Sequence, residues 1–510
     1  MFASALSAVI LGLEALPIQV EADVSDGLPS FVMVGFPSAQ VREAQDRVRT
    51  ALKNNGIFLP PKRVTVNFAP ADIRKEGAGF DLPVAAAVLA ASGYLSQKDL
   101  AGVMILGELS LNGEVYAAGG VLPRVLKARE TGCRYCLIPR QNLAEARLVP
   151  GILSIGVTSL MQMIECLEDP EVFLEKEGKG EQIDSQFLPP GNLEKPDFQD
   201  VCGQESAKRA AEISAAGFHN LLMTGPPGSG KTMIARRIPT ILPALSFEES
   251  LEVTRIYSIA GLLSQDNPLI TERPFRSPHH TSTPQALAGG GRIPVPGEIT
   301  LAHFGVLFLD EMAEFSRNTL EILRQPLEDR VICLSRASGT FLFPANFMLV
   351  AAMNPCPCGY YPDMQRCRCT PGQVSHYVGK ISQPLLDRMD LCTQVNGISF
   401  HQISAGNSGE SSARIRERVE KTRQLQADRY QKEGFHFNAE LKGRDVEKYC
   451  CMTAEAGRLL QSAFEKLDFS ARSYHRLLKV SRTIADMEGE EIISSSHMSE
   501  ALSYRMYEKK

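Results

Sequence analysis

The sequence predicts an α/β chain: a parallel sheet with a helical lid after it and a smaller α+β domain before it. Three observations carry that prediction. From about residue 200 to 396, short apolar strand patterns alternate with helix-like patterns, the order that a parallel sheet with crossover helices requires. A Gly-rich loop, Gly225-Pro226-Pro227-Gly228-Ser229-Gly230-Lys231-Thr232, joins the strand pattern Leu221-Leu222-Met223-Thr224 to a helix-like run from Met233 to Ile238. About eighty residues later, a second apolar strand ends in Asp310-Glu311.

At 510 residues the chain exceeds one ordinary core. Breaks in pattern divide it into a domain over 1–168, a linker over 169–199, a core over 200–396 and a helical region over 397–510. A composition of 44% hydrophobic and 22% charged residues belongs to the soluble globular class. The net charge of −5 excludes a wholly basic nucleic-acid coat, but not a basic strip inside a channel. Ala5 to Leu13 has the apolarity of a secretory leader, yet no basic residue precedes Arg42 and Glu14 interrupts the run. It therefore reads as an opening strand, with the cytoplasm as expected location. No other run has the length and apolarity to span a bilayer. The twelve cysteines of such a chain are not expected to pair as disulfides.

Within the first domain, Pro17 to Val24 and Lys62 to Phe68 alternate with period two and read as strands. Gln40 to Asn54 reads as a helix with Val41, Ala44, Val48 and Leu52 on one face. A charged stretch containing Glu175 to Gly180 and Pro189-Pro190-Gly191 marks the linker. A polar stretch from Ser404 to Glu410 precedes the last region, where Ala413 to Tyr430 reads as a strongly charged helix.

The Gly-rich loop has the context that a phosphate-binding loop needs. Glycines let backbone N–H groups turn inward, and the following helix adds the positive end of its dipole. Lys231 would reach the β- and γ-phosphates of ATP, and Thr232 would ligate Mg²⁺. Asp310 would hold Mg²⁺ through water, while Glu311 would orient and deprotonate the attacking water. A third strand pattern, Phe347 to Ala352, ends at Met353-Asn354. If it lies between the other two, Asn354 touches the γ-phosphate or the water; otherwise it is a turn-former before Pro355.

The segment Pro384-Leu385-Leu386-Asp387-Arg388-Met389-Asp390 resembles an element of magnesium chelatase ATPase subunits and MCM helicases, two branches of the AAA+ proteins. The resemblance implies that Arg388 is an arginine finger acting on a neighbouring subunit's ATP, and hence a ring. Ser470 to Arg476 is similar to the second sensor of the same group, with Arg472 as first candidate and Arg476 as competitor. Arg273 to Ser282 and Ala288 to Ile299 resemble the helix-two insert of magnesium chelatases, and Asp329 to Gly339 resembles that branch's second hairpin. By this likeness Arg292 and Arg336 contact DNA phosphates in a central channel; the plainer reading is solvated loop charges.

Cys356-Pro357-Cys358 and Cys367-Arg368-Cys369 are separated by eight residues rich in turn-formers. Four thiolates match a closed Zn²⁺ site in number, although the one-residue gaps are tighter than usual. Free thiols and redox chemistry stand beside that reading.

Arg74 to Asp81, with Gly107 to Val115 and Gly119 to Arg124, resembles the proteolytic domain of Lon. Gly79 stands where its Ser is expected and Leu122 where its Lys is expected. A Ser–Lys dyad needs a hydroxyl and an amine in contact, so no peptidase activity is expected of this domain. Assembly or DNA handling is the alternative role. Across nearly the whole chain, the order of these parts resembles the ComM/YifB family of magnesium chelatase-like AAA+ ATPases. That resemblance implies a hexameric helicase driving DNA branch migration in homologous recombination during natural transformation. A porphyrin-metallating motor and a protein-remodelling ATPase are the other classes the motifs admit.

Overall fold

The computed structural model describes residues 1–178, 196–264, 267–292, 294–336, 339–397, 409–467 and 469–505. Residues 179–195 of the expected linker, Ser404 to Ser408 of the polar stretch, and Ile293, Ala337 and Ser338 of the inserts lie outside the described residues. The chain forms two compact units. One comprises 1–189, 247–271 and 291–295; the other comprises 190–246, 272–290 and 296–510. The first unit thus takes in two stretches from the sequence region of the second.

In the first unit, seven strands form one mixed sheet: β1 (Phe2–Leu11), β2 (Glu14–Ser25), β3 (Ser30–Val34), β4 (Arg63–Ala69), β5 (Val103–Ile105), β6 (Tyr135–Pro139) and β7 (Leu153–Val157). Their spatial order is β3-β4-β2-β1-β5-β6-β7. β1 and β2 pair antiparallel, with Phe2 opposite Asp23, and β4 pairs antiparallel to β2. The remaining pairs are parallel. Period-two alternation puts Ile18, Val20, Ala22 and Val24 of β2, with Val64, Val66 and Phe68 of β4, into the core. The expected helix from Gln40 is broken at Glu43 into a short turn and α1 (Ala44–Asn54). α1 buries Ala44, Val48, Ala51 and Leu52.

α2 (Asp81–Ala91) is apolar on every side, as a fully buried helix must be, and packs on β1 and β2. Its one charge, Asp81, accepts from Arg47 Nε at 2.7 Å, Arg47 Nη2 at 3.0 Å and the Leu109 N–H at 3.1 Å. Burial pushes that carboxyl up, against the pull of Arg47. α3 (Val121–Glu130) completes the part of this unit needed below.

The second unit holds a five-stranded sheet, β8 (Leu221–Thr224), β9 (Phe275–Arg276), β10 (Val306–Leu309), β13 (Met348–Met353) and β14 (Leu391–Gln394), with a hairpin of β11 (Val331–Arg336) and β12 (Gly339–Pro344). The order is β9-β10-β13-β8-β14, every pair parallel. α4 (Lys231–Ile241) follows the Gly-rich loop, and α5 (Pro371–Gly379) lies between β13 and β14 in the chain. The lid is built from α6 (Ser412–Tyr430), α7 (Ala454–Leu467), α8 (Ala471–Glu488) and α9 (Ser495–Ser503). Val419, Leu460, Leu477 and Met498 from these four helices share one core with Leu221, Phe308 and Val350 of the sheet. No helix among the described residues is long and apolar enough to cross a membrane.

Candidate nucleotide-binding site

In the sheet, Thr224 of β8 lies opposite Met353 of β13, and Leu309 of β10 opposite Ala351 of β13. The residues that follow, Gly225, Asp310 and Asn354, therefore leave the sheet at its carboxyl edge, where parallel sheets carry their ligands. β13 lies between β8 and β10, the arrangement that brings Asn354 to the loop. Gly225 has no room for a side chain, because a Cβ there would lie 2.1 Å from the Val395 carbonyl oxygen. Gly228 and Gly230 take φ of +74° and +93°, the left-handed turns that aim backbone amides inward. α4 starts directly after Gly230 with no side-chain cap, so its first N–H groups are left for a phosphate. Pro226 and Pro227 stiffen the entry of the loop, and Ser229 Oγ is buried with no hydrogen-bond partner among the described residues.

Lys231 is buried and donates to the Gly225 carbonyl at 2.7 Å, the Pro226 carbonyl at 2.9 Å and Asn354 Oδ1 at 3.3 Å. Burial holds its ammonium below the ordinary lysine value, opposed by Asp310 and Glu311. Thr232 Oγ1 donates to Asp310 Oδ2 at 2.7 Å. A hydroxyl and a carboxylate brought together beside a phosphate loop are the hard oxygen ligands that suit Mg²⁺. Glu311 turns out of the strand at φ +50°, donates its own N–H to Asp310 Oδ1 at 3.0 Å and leaves its side chain 56% exposed. His280 Nδ1 lies 3.5 Å from Glu311 Oε2. His280 was not legible as a site residue; its only mark in the sequence is the His279-His280 doublet of the insert.

Arg388 is buried and bound within its own chain. It forms an ion pair with Glu328, its Nη1 donates to the Pro384 carbonyl at 2.7 Å, and its Nε is buried with no hydrogen-bond partner among the described residues. On α8, Arg472 is exposed in the first turn, with no hydrogen bond or ion pair to a described residue. Its competitor Arg476 is engaged: Nη1 donates to the Met389 carbonyl at 3.2 Å, and Nε lies 3.6 Å from Asp390. Burial pushes Arg476 down to about 10.

The four thiols of Cys356, Cys358, Cys367 and Cys369 all lie within 4.8 Å of one another. Cys356 and Cys358 are 3.3 Å apart, Cys358 and Cys367 3.6 Å, and Cys356 and Cys367 3.8 Å. A hydrogen bond from the Tyr360 backbone brings the Cys358 thiol down to about 6, whereas burial and the neighbouring thiols outweigh backbone hydrogen bonds and push Cys367 up to about 12 and Cys369 up as well. This loop touches the phosphate loop: a Cβ on Gly359 would lie 2.5 Å from Pro227 Cδ. The Tyr377 phenol of α5 meets the Asn354 backbone and is pushed up to about 12 by burial.

Comparison with known proteins gives this geometry a lineage. Residues 197–403 match the family described as magnesium chelatase, subunit ChlI. Residues 20–142 match subunit ChlI of Mg-chelatase, and 409–505 match the C-terminal part of magnesium chelatase subunit ChlI. The chain is 43% identical to the competence protein ComM of Haemophilus influenzae over 497 residues, covering 97% of this chain and 96% of that one. It is 42% identical to the protein YifB of Escherichia coli over 503 residues, 98% of this chain and 96% of the relative. The chain belongs to the ComM/YifB family. A weaker likeness, 25% identity over 228 residues, joins 39% of it to 41% of Lon protease 2 of Bacillus subtilis.

The other residues singled out in the sequence of this ComM/YifB family member fall in both units. Gly79 sits in a short turn, Ala78–Phe80, and Leu122 is a buried residue of α3. Neither supplies the hydroxyl or the amine of a peptidase dyad. Arg292 is exposed in the first unit. Arg336 is exposed at the tip of the β11–β12 hairpin in the second, where its Nη1 donates to the Ser335 carbonyl at 3.0 Å. Replacing Lys231 with alanine removes the ammonium held by the Gly225 and Pro226 carbonyls of the loop. ATP binding should weaken by roughly 10- to 100-fold, the worth of charge-assisted hydrogen bonds to a phosphate. A fluorescent-nucleotide titration reads this directly, and an unchanged affinity would contradict the role of the loop.

Proposed function

We propose that this chain is an ATP-driven DNA motor, a hexameric helicase that promotes branch migration in homologous recombination during natural transformation, working in the cytoplasm. One pairing carries the reading: Lys231, Thr232, Asp310 and Asn354 gathered at one sheet edge, on a chain similar over 97% of its length to a competence protein. Lys231 exchanges its loop carbonyls for β- and γ-phosphate oxygens, and the amides of Gly228 to Thr232 wrap the phosphates. Thr232 and Asp310, which meet at 2.7 Å, would hold Mg²⁺, and that ion would neutralise phosphate charge. Glu311 takes the proton from the attacking water, Asn354 orients that water, and Arg388 from the next copy in the ring meets the developing charge. Arg472 adds a second cation from the lid. Arg292 and Arg336 contact DNA phosphates, which positions the strand without reading its sequence.

The test is the ATPase rate with no DNA, single-stranded DNA, duplex and a synthetic branched junction. DNA should stimulate turnover several-fold, less so as salt rises, because phosphate contacts release counterions. Arg336→Glu should weaken the stimulation. A rate indifferent to every DNA would remove the motor's cargo and favour a protein-remodelling role on the same nucleotide site.

We also infer that the four clustered cysteines hold one structural Zn²⁺. Tetrahedral Zn–S bonds of about 2.3 Å place sulfurs roughly 3.8 Å apart; the sulfurs of Cys356, Cys358 and Cys367 are 3.3 to 3.8 Å apart, and with Cys369 all four lie within 4.8 Å. Metal analysis of protein purified under reducing conditions should find about one zinc per chain. Cys358→Ser combined with Cys369→Ser should lose it, and ATP turnover should fall because the loop that carries Gly359 braces Pro227. Zinc retained without those thiols, or absent from the unaltered protein, would refute the assignment.

A further inference from the structure

The first unit contains a cavity of about 310 Å³, at the small end of the range for ligand sites. Its lining includes Gly79, Glu108, Gly119, Gly120, Arg124 and Ile259, all within that one unit. Five of its fifteen lining residues are glycines. A Cβ on Gly119 would meet nothing within 4 Å, and Gly120 is held at φ +68° at the start of α3.

Arg124, from the first turns of α3, is 6% exposed and lines this cavity. Its Nε is buried without a hydrogen-bond partner, and no hydrogen bond or ion pair joins its guanidinium to any described residue. The nearest acid does not answer it. Glu145 acts on Arg124 only through space, because its carboxylate already accepts the Leu122 N–H at 2.9 Å, Asn142 Nδ2 at 3.3 Å and the Ser258 hydroxyl. Burial accordingly pushes Arg124 down to about 10. A guanidinium carries five donors, and leaving the buried Nε–H unmet is costly enough that proteins rarely do it. The room to meet them is there: at Gly79 a Cβ would sit 3.1 Å from Arg124 Nη1, so the absent side chain leaves the fork open. Across the lining, Glu108 has no side-chain hydrogen bond or ion pair of its own among the described residues and senses Arg47 only through space.

We propose that this cavity binds a small oxyanion-bearing ligand, a carboxylate or a phosphate gripped by the Arg124 fork, with Glu108 receiving a donor group on the ligand's other side. Planar guanidinium matches either anion in a two-point contact, which a lysine does not. The small glycine-walled volume fits a metabolite-sized molecule. The site does not depend on the nucleotide chemistry of the second unit.

The experiment is thermal unfolding of the full chain, with the phosphate loop saturated by MgADP, titrated with inorganic phosphate in one arm and glycine in the other. A ligand at saturating concentration should raise the first unit's midpoint by roughly 5 °C. A response to phosphate alone identifies a phosphate ligand, and a response to glycine alone a carboxylate with an ammonium. Arg124→Met should abolish the shift, Arg124→Lys should keep part of it, and Gly79→Ala should weaken it by crowding Nη1 while leaving the charge in place. Glu108→Gln should affect the glycine arm more than the phosphate arm. A wild type unmoved by both probes, or a shift that survives in Arg124→Met, overturns the proposal.

Discussion

Replacing Glu311 with glutamine should lower the ATPase rate by roughly 10²- to 10⁴-fold, the usual contribution of a positioned general base, and leave ATP binding almost unchanged. Glutamine keeps the size of the side chain and its ability to hydrogen-bond, but it cannot take a proton from water. The contacts that would hold the nucleotide do not pass through Glu311. Lys231 is fixed by Gly225, Pro226 and Asn354, and Thr232 by Asp310. The one link between Glu311 and that set is its backbone N–H on Asp310, which the substitution retains. The side chain itself is half exposed and meets His280 at 3.5 Å. A single-turnover assay beside a nucleotide titration separates the two quantities. Normal turnover in the glutamine variant would move the base elsewhere; lost binding would mean that Glu311 shapes the site instead of acting in it. In the same variant, any stimulation by DNA should vanish, which ties the motor reading to this carboxylate.

The parts of this site that were legible in the sequence are those specified within a few residues. Strand, glycine loop and helix follow one another from Leu221 to Ile241, so local pattern alone locates Lys231 and Thr232. Asp310 and Asn354 are each marked by a short apolar strand, and parallel pairing then leaves few ways to arrange three strand ends. The parts that were not legible depend on packing between distant segments. Glu328 precedes Arg388 by sixty residues and carries no pattern that marks it as a partner. His280 reaches Glu311 only because β9 lies beside β10. In the sequence Arg124 is marked only as the end of the Lon-like stretch Gly119 to Arg124, and only the fold reveals that it is buried with its Nε unmet. The entry of 247–271 and 291–295 into the first unit is of the same kind: Leu251 and Leu269 pack with Val125 and Leu143, contacts that no local periodicity encodes. The break at Glu43 is a smaller case, where one turn of helix-compatible sequence is overruled by its surroundings.

Replacing Arg388 with alanine should cost roughly 10³- to 10⁵-fold in ATP turnover, the range for an arginine that stabilises phosphoryl transfer from a neighbouring subunit. Within one chain this guanidinium is not free: Glu328 and the Pro384 carbonyl hold it, and it is buried. To serve a neighbour's nucleotide it must leave Glu328, whose side chain is 54% exposed and so loses little when the pair opens. That asymmetry separates a finger from a structural arginine. If Arg388 is structural, alanine should lower the unfolding midpoint, and activity should fall only in proportion to the folded fraction. If it is a finger, the variant should stay folded, bind ATP nearly as well as wild type and fail to hydrolyse it. Mixing gives the sharper measurement. In the proposed ring, a mixture of Arg388→Ala and Glu311→Gln copies would have some sites where an intact Glu311 faces an intact Arg388 from the next copy. Two variants that are inactive alone should therefore regain measurable turnover together. No recovery on mixing, with both variants folded and assembled, would place Arg388 outside the neighbour's site and leave its bond to Glu328 as its function.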